Sequence, residues 1–239
     1  MASVCVCDDY FTVNGDGELC LLPGRQGLRQ VLRFNSPGTV QFQKASYPWL
    51  ARVLVKCQGG GGGSAGANAA ANQCIVRPGG AGGGYSESVI AATSLGAVET
   101  ILVGAAGTAG TTNLAGGDGG VSSFGGFVSG TGGDGGNAVQ TSGTTLDVTS
   151  GVAAPLAGSG QFAQGGGPGG GAIRLNATNG LSGAGGESML GHGGYPRATE
   201  GAGTGARGYG GGAGGALSYG ASVAGAPGNN GIVIIELYG

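Results

Sequence analysis

Apolar positions in this chain fall into a few short runs, most of them set around long stretches of glycine. "TVQFQK" (39–44), "YSESVIAA" (85–92) and "AVETILVG" (97–104) mix apolar and polar residues in near-alternation, the period of a half-buried strand. "LARVLVK" (50–56) and "GIVIIELYG" (231–239) are almost continuously apolar and β-branched, too short for a typical helix, and predict buried strands. Shorter candidates are "VSSFGGFV" (121–128) and "AIRLNA" (172–177). "TVNGDGELCL" (12–21) predicts a hairpin, because Asn-Gly and Asp-Gly favour turns with positive φ. "PGRQGLRQVLRF" (23–34) spaces Arg25, Arg29 and Arg33 four apart. That spacing suits one face of a helix, and a short turn leading into a strand suits the segment equally well. Strands early and late in the chain predict a sheet that closes by pairing the two.

Glycine makes up 62 of the 239 residues, far above its usual share of about 7%. Local spacing tells more than the total. Gly-Gly-X-Gly-Gly occurs at 79–83, 116–120, 132–136, 166–170 and 211–215, and "GGGGG" at 59–63 is a degenerate sixth copy. The rhythm is a period of three, which polyproline II has and neither α-helix nor strand shares. Such a helix makes no internal hydrogen bonds, so its backbone groups need outside partners. Glycine-lined helices lying side by side can supply them, since no side chain holds the backbones apart. Ordering so much glycine is entropically costly, so the bundle needs several helices and a clamp of strands.

The expected fold is therefore all-β with an irregular glycine-rich part. A small β-sandwich or sheet base, closed by the C-terminal strand, carries an inserted bundle of polyglycine-II helices over about residues 59–230. Residues 1–33 form an N-terminal docking segment and residues 34–239 the base with its insertion.

Charge sharpens this picture. Only 9% of residues are charged and the net charge is −2, which argues against a solvated coil. Residues 1–58 hold Asp8, Asp9, Asp16, Glu18, Arg25, Arg29, Arg33, Lys44, Arg52 and Lys56, and no lysine follows them. Scattered arginines in a slightly acidic chain do not make the basic stripe that a phosphate backbone requires, so nucleic acid is not an expected partner. No apolar run approaches the roughly 18 residues of a membrane span. The start lacks a secretory pattern, so synthesis in a cytoplasm with reduced thiols is expected.

Candidate chemistry is sparse. His192 is the lone histidine and sits in Gly-His-Gly, a poor setting for a preorganised base. Asp118 and Asp134 occupy the X of two glycine units, which predicts outward positions on neighbouring rods, accepting backbone N–H bonds. Gly-X-Gly-X-X-Gly matches are chance matches here, since none follows a strand and opens a helix. "NAT" (176–178) fits a glycosylation acceptor but has no secretory route to it. Cys5, Cys7 and Cys20 are the one metal candidate, although a C-X-C spacing and a missing fourth ligand depart from ordinary zinc sites. Cys57 and Cys74 flank the first glycine run and could pair in an oxidising medium. No cofactor site and no enzymatic constellation is expected.

Glycine offers no side chain, so specificity must lie in what interrupts it. The richest interruption, "ESMLGHGGYPRATEG" (187–201), carries Met189, Leu190, His192, Tyr195 and Arg197. "NAVQTSGTTLDVTSGVAAPLAGSGQFAQ" (137–164) is another, as is "ALSYGASVAG" (216–225) with Tyr219, and Tyr209 lies in "ARGYGG". Tyrosine among small flexible residues makes a contact surface of low entropy cost. Alternatively these aromatics plug the ends of the bundle.

In their order, "VLVKCQGGGGGS", "GGAGGGYSES", "VETILVGAAGTAG", "GGDGGVSSFGGFVSGTGGDGG" and "GAPGNNGIVIIELYG" resemble the glycine-rich tail proteins of bacteriophages, including minor tail proteins of actinobacterial phages. The likeness covers roughly residues 34–239, and "VCVCDDYFTVNGDGELCLLPG" is similar to the starts of such proteins. The resemblance implies a virion component at or near the tail tip, assembled in the host cytoplasm among other tail proteins. It implies contact with a host-surface receptor or glycan, and a homo-oligomer, either a trimer or a ring. Related adhesins carry polyglycine-II bundles whose loops touch the receptor. This chain departs from them in its β-rich residues ahead of the glycines, which fits an attachment or structural protein. The competing expectation is a glycine-rich cell-surface structural protein outside any virion.

Overall fold

A computed structural model describes residues 8, 10–22 and 27–239. The fold is all-β, built from several open sheets, with two short 3₁₀ turns as its helical content among the described residues. Strands of three residues or more are, in order, β1 (Phe11–Val13), β2 (Leu19–Leu21), β3 (Leu28–Phe34), β4 (Gly38–Gln43) and β5 (Arg52–Gln58). They continue with β6 (Tyr85–Ala91), β7 (Val98–Val103), β8 (Ser122–Phe124) and β9 (Val128–Gly130). Last come β10 (Asp147–Thr149), β11 (Phe162–Gln164), β12 (Ala172–Arg174) and β13 (Ile232–Tyr238).

Two sheets form the base. One runs β11-β6-β5-β13-β3 and the other β9-β8-β7-β4, antiparallel throughout. The late strand β13 does not close a sheet at its edge. It fills the middle, pairing β5 on one side and β3 on the other. Alternation explains why it belongs there: Val233, Ile235 and Leu237 are buried, opposite Cys57, Val55 and Val53 of β5. These residues meet Phe42, Ile101, Val103, Phe124 and Val128 of the facing sheet in one core. Each fully buried aliphatic or aromatic side chain there stabilises by about 1.5–3 kcal/mol. Arg29 caps the core's rim over the Trp49 ring, 4.3 Å from its centroid.

Of the segment left open between helix and strand, residues 28–34 form β3, one continuous strand within the base sheet, and residues 23–26 lie outside the described residues. "VSSFGGFV" is not one strand. Gly125, at φ 51°, turns the chain between β8 and β9, which pair as a tight hairpin. The expected N-terminal hairpin forms as β1 and β2, with Asn14 Oδ1 accepting the Asp16 and Glu18 amides across its turn.

Gln58, Tyr85, Gln164 and Ile232 lie level at one end of the base sheet. From that end the glycine segments continue, and their backbone hydrogen bonds follow a period of three. Gly60, Gly63 and Gly66 donate to the carbonyls of Gly120, Gly117 and Leu114, while Gly61 and Ser64 donate to Asn229 and Ala226, and Gly62 donates to Ala81. In return Gly133 and Gly136 donate to Gly60 and Gly63, Gly107 and Gly110 to Gly61 and Ser64, and Ala213 to Gly62. All these contacts are 2.7–3.1 Å. Residues 60–66 are thus ringed by six other segments, and one segment's every third residue serves one neighbour.

So close a lattice excludes side chains at the contact positions. A Cβ on Gly60, Gly61, Gly62 or Gly63 would sit 2.0–2.1 Å from a neighbouring carbonyl oxygen. The X residues sort by depth. Ala81 and Ala213 are buried inside, whereas Asp118, Asp134 and Pro168 are exposed outside. Gly116 and Gly119 donate to Gly136 and Gly133, so the two aspartates do sit on neighbouring segments, and Asp118 Oδ1 accepts the Gly135 amide at 2.8 Å.

Buried polar groups fasten this region to the base and to itself. Gln58 donates from Nε2 to the carbonyls of Gly83 and Gly84. Arg77, 1% exposed, pairs with no carboxylate among the described residues and donates to Gly66 O, Gln140 O and Asn113 Oδ1 at 2.7–2.8 Å.

Candidate contact site

The interruptions of the glycine lattice place the expected contact residues in three groups. The first surrounds a two-residue pairing in which His192 faces Arg207 and Gly191 faces Gly208. Its turn is held by Ser188, whose amide donates to Gly191 O and whose hydroxyl donates to Tyr209 O at 2.6 Å, with Gly191 O also near that hydroxyl at 3.0 Å. The Tyr209 amide donates to Leu190 O. Met189, Leu190, His192 and Tyr209 therefore share one small ledge, with Met189 and His192 well exposed. His192 Nδ1 lies 2.8 Å from Glu187 Oε2, an exposed pair in which water and salt screen any charge.

Two recesses border this ledge. Gln164 to Gly167 with Glu187, Ser188 and Met189 enclose about 260 Å³. Asn35, Gly208, Tyr209, Asn229 and Asn230 enclose about 240 Å³. In the second, Asn35 from the β3–β4 turn donates to the Tyr209 hydroxyl at 3.3 Å, so a loop of the base meets the glycine region there. Both have mixed linings: Gln164, Glu187, Ser188 and Met189 with glycine backbone in the first, and asparagines, glycine backbone and Tyr209 in the second.

Tyr195 and Arg197 make a second group. Tyr195 is exposed, and its carbonyl accepts from the Thr204 hydroxyl. Arg197 is tied down through its backbone, with its amide donating to Ser182 Oγ and its carbonyl accepting the Ser182 amide. Its Nε is buried and has no hydrogen-bond partner. Tyr219 is tied to the loop of this second group, its hydroxyl donating to Ala198 O at 3.3 Å. It packs against Cys74, Val76, Ala172 and Leu217, and Glu200 Oε1 accepts the amides of Tyr219 and Ala221. Its surroundings are those of a plug over a small core.

The pairing of Cys57 with Cys74 raised by the sequence is not made. Cys57 and Cys74 are free thiols in different cores, Cys57 under the base sheets and Cys74 beside Val76 and Leu217, so no bridge spans the first glycine run. Of the metal candidates, Cys5 and Cys7 lie outside the described residues. Cys20 is half-buried on β2, and among the described residues no three His, Cys, Asp or Glu side chains gather as a ligand set.

Sequence reasoning missed Arg77 and Arg174. Arg174 donates to Cys74 O, Thr141 O and Thr145 O and pairs with Asp147 at 3.2 Å, fixing the 137–147 loop. An arginine inside an otherwise uncharged stretch is the signal that could have found them, since such a charge must be solvated by the fold itself.

Comparison with curated proteins returns no match. Residues 36–238 match the sequence model of the glycine-rich domain, and the chain belongs to that family.

Proposed function

We propose that this chain is a non-enzymatic structural protein of a phage tail, at the tail tip or in a fibre. It would act in tail assembly and host-surface attachment, with the glycine segments forming a polyglycine-II bundle. The observation that carries the reading is the hydrogen bonding of residues 60–66, whose every third amide serves one neighbouring segment and whose surroundings comprise six segments. A threefold helix without internal hydrogen bonds has that requirement. Such a rod is stiff, presents loops at its ends and contains no prearranged acid, base or nucleophile, which suits an attachment device better than a catalyst. The ordered motifs shared with phage tail proteins supply the virion setting. Other tail proteins would be the partners of the N-terminal segment. A receptor or glycan would meet the ledge of Met189, Leu190, His192 and Tyr209, which two recesses of mixed lining adjoin.

Fitting the chain into a cryo-EM map of purified tails tests the proposal. Density at the tail tip or fibre that accommodates the glycine lattice is the expected result, and tails lacking the chain would overturn the role. For the lattice itself, polyproline-II circular dichroism with resistance to protease across 59–230 is expected. Rapid cleavage throughout that range would mark a linker. The second reading, a cell-surface glycine-rich protein, rests on the same lattice and differs in finding the chain in the cell envelope.

A further inference from the structure

Four side chains border the recess of about 240 Å³ where the base meets the glycine region, and none of them is charged. Three are asparagines, each already committed on one side. Asn229 Nδ2 donates to Ala206 O at 3.0 Å and Gly208 O at 2.7 Å, which uses both its hydrogens and leaves Oδ1 as an acceptor. Asn230 is used the other way round. Its Oδ1 accepts the Ala106 amide at 2.8 Å, leaving the two hydrogens of Nδ2 to donate. Asn35 Nδ2 donates to the Tyr209 hydroxyl at 3.3 Å, so Asn35 Oδ1 can still accept and the hydroxyl can still donate. No other described residue bonds these remaining atoms. The backbone beneath them is fixed by the glycine lattice. The Asn229 amide donates to Gly211 O and its carbonyl accepts the Gly61 amide, while Asn230 O accepts the Gly210 amide. Acceptors and donors are thus held around one recess before anything binds, and such prior ordering lowers the cost of binding.

We propose that this recess binds one ring of a neutral saccharide, a pyranose with hydroxyls on neighbouring carbons. A ring hydroxyl both donates and accepts, so adjacent hydroxyls can answer acceptors and donors that lie side by side. The half-buried Tyr209 ring supplies the apolar surface that the C–H face of a sugar covers. Charge argues against the anionic classes, since a carboxylate or phosphate would lose hydration in a recess with no cation among its lining residues. Size argues against a longer occupant. The volume of about 240 Å³ falls below the roughly 300–1,000 Å³ of pockets that enclose drug-sized ligands. A single ring at ordinary ligand efficiency binds with a Kd on the order of 1 mM. Strength on a surface would come from many weak sites acting together. This recess is one of the two that adjoin the ledge assigned above to a receptor or glycan, so the source of its ligand, the sugars of a host surface, rests on that attachment reading.

Saturation-transfer NMR of the full chain with the methyl glycosides of glucose, galactose, mannose and N-acetylglucosamine, each titrated to about 20 mM, tests it. At least one should receive saturation, most strongly on one face of its ring, with half-saturation on the order of 1 mM. Asn230→Asp keeps Oδ1 on the Ala106 amide and replaces the donor nitrogen by an oxygen, so it should weaken binding at least about 10-fold. Tyr209→Phe keeps the ring and removes the hydroxyl. It should weaken binding about 3- to 10-fold, which covers failure of Asn230→Asp to fold. Asn176→Asp places the same charge in an exposed turn outside the recess lining and should match the wild type. Methyl glucuronide, a ring carrying a carboxylate, should bind at least about 10-fold more weakly than the best neutral ring. No transfer to any of the four neutral glycosides overturns the proposal. So does wild-type binding by Asn230→Asp or Tyr209→Phe, an equal loss in Asn176→Asp, or a glucuronide that binds as tightly as the neutral rings. None of these outcomes depends on where the chain resides, which the map of purified tails decides separately, so a failed sugar site and a failed tail role can be told apart.

Discussion

At Gly62 a methyl group would sit 2.0 Å from the Asp134 carbonyl oxygen, a contact that backbone on both sides cannot relieve. At Gly126, in the β8–β9 turn, the same methyl group would meet nothing within 4 Å. Gly62→Ala is therefore expected to destabilise by about 3 kcal/mol, as overpacked interiors do, and Gly126→Ala by less than about 0.5 kcal/mol. Denaturant midpoints compare the two, and equal effects would mean the segments are not packed backbone to backbone. A second residue-scale consequence concerns Cys57, whose thiol burial pushes up to about 12 from the ordinary value near 9. Burial, then the neighbouring Glu87 carboxylate, also raises the Tyr85 phenol. A group whose pKa is raised on folding contributes stability that is complete below its unfolded value and is lost as pH climbs through the folded one. Stability should hold to about pH 9 and fall between pH 9 and 12, Cys57 accounting for up to about 4 kcal/mol. Melts of Cys57→Val across that window should show a shallower decline.

At the scale of elements, β13 carries the base because it has a partner on each side and buries Val233, Ile235 and Leu237 between them. Deleting residues 231–239 removes three core side chains at about 2–5 kcal/mol each and exposes two strand edges, a loss comparable to the roughly 5–15 kcal/mol that holds a typical domain. The truncated chain should show no cooperative melt, and a sharp transition would show that β3 and β5 re-pair without it. The long apolar strands could be read from the sequence because burial on one or both faces dictates their pattern. The segment before Phe34 could not be settled, since arginines four apart return to the same side of a strand as well as of a helix. The β8–β9 turn was missed because apolar residues on both sides of "GG" mimic one strand with a bulge. The small sheet of β10, β12 and Gly180–Leu181, which exposes Ile173 and buries Arg174, lay beyond sequence reasoning too. Its inward face is decided by what Arg174 can reach, and that depends on Cys74 and Thr141, far away along the chain.

For the whole molecule, the glycine period stated in advance how the backbone would be satisfied, but not which segment lies beside which. That arrangement depends on lattice neighbours without side chains, so no residue identity encodes it locally. The contact residues were legible as interruptions, yet their division into a ledge, a tethered loop and a plug followed from distant partners such as Asn35, Ser182 and Leu217. The central place of β13 has a last consequence, for biosynthesis. Lys56 meets Glu236, 180 positions further along the sequence. On a ribosome the early strands emerge long before the one that belongs between them, and the glycine runs made meanwhile have no frame to line up on. Folding by non-local pairing is slow and leaves aggregation-prone intermediates, so refolding of the full chain is expected to be slow and to lose yield as its concentration rises.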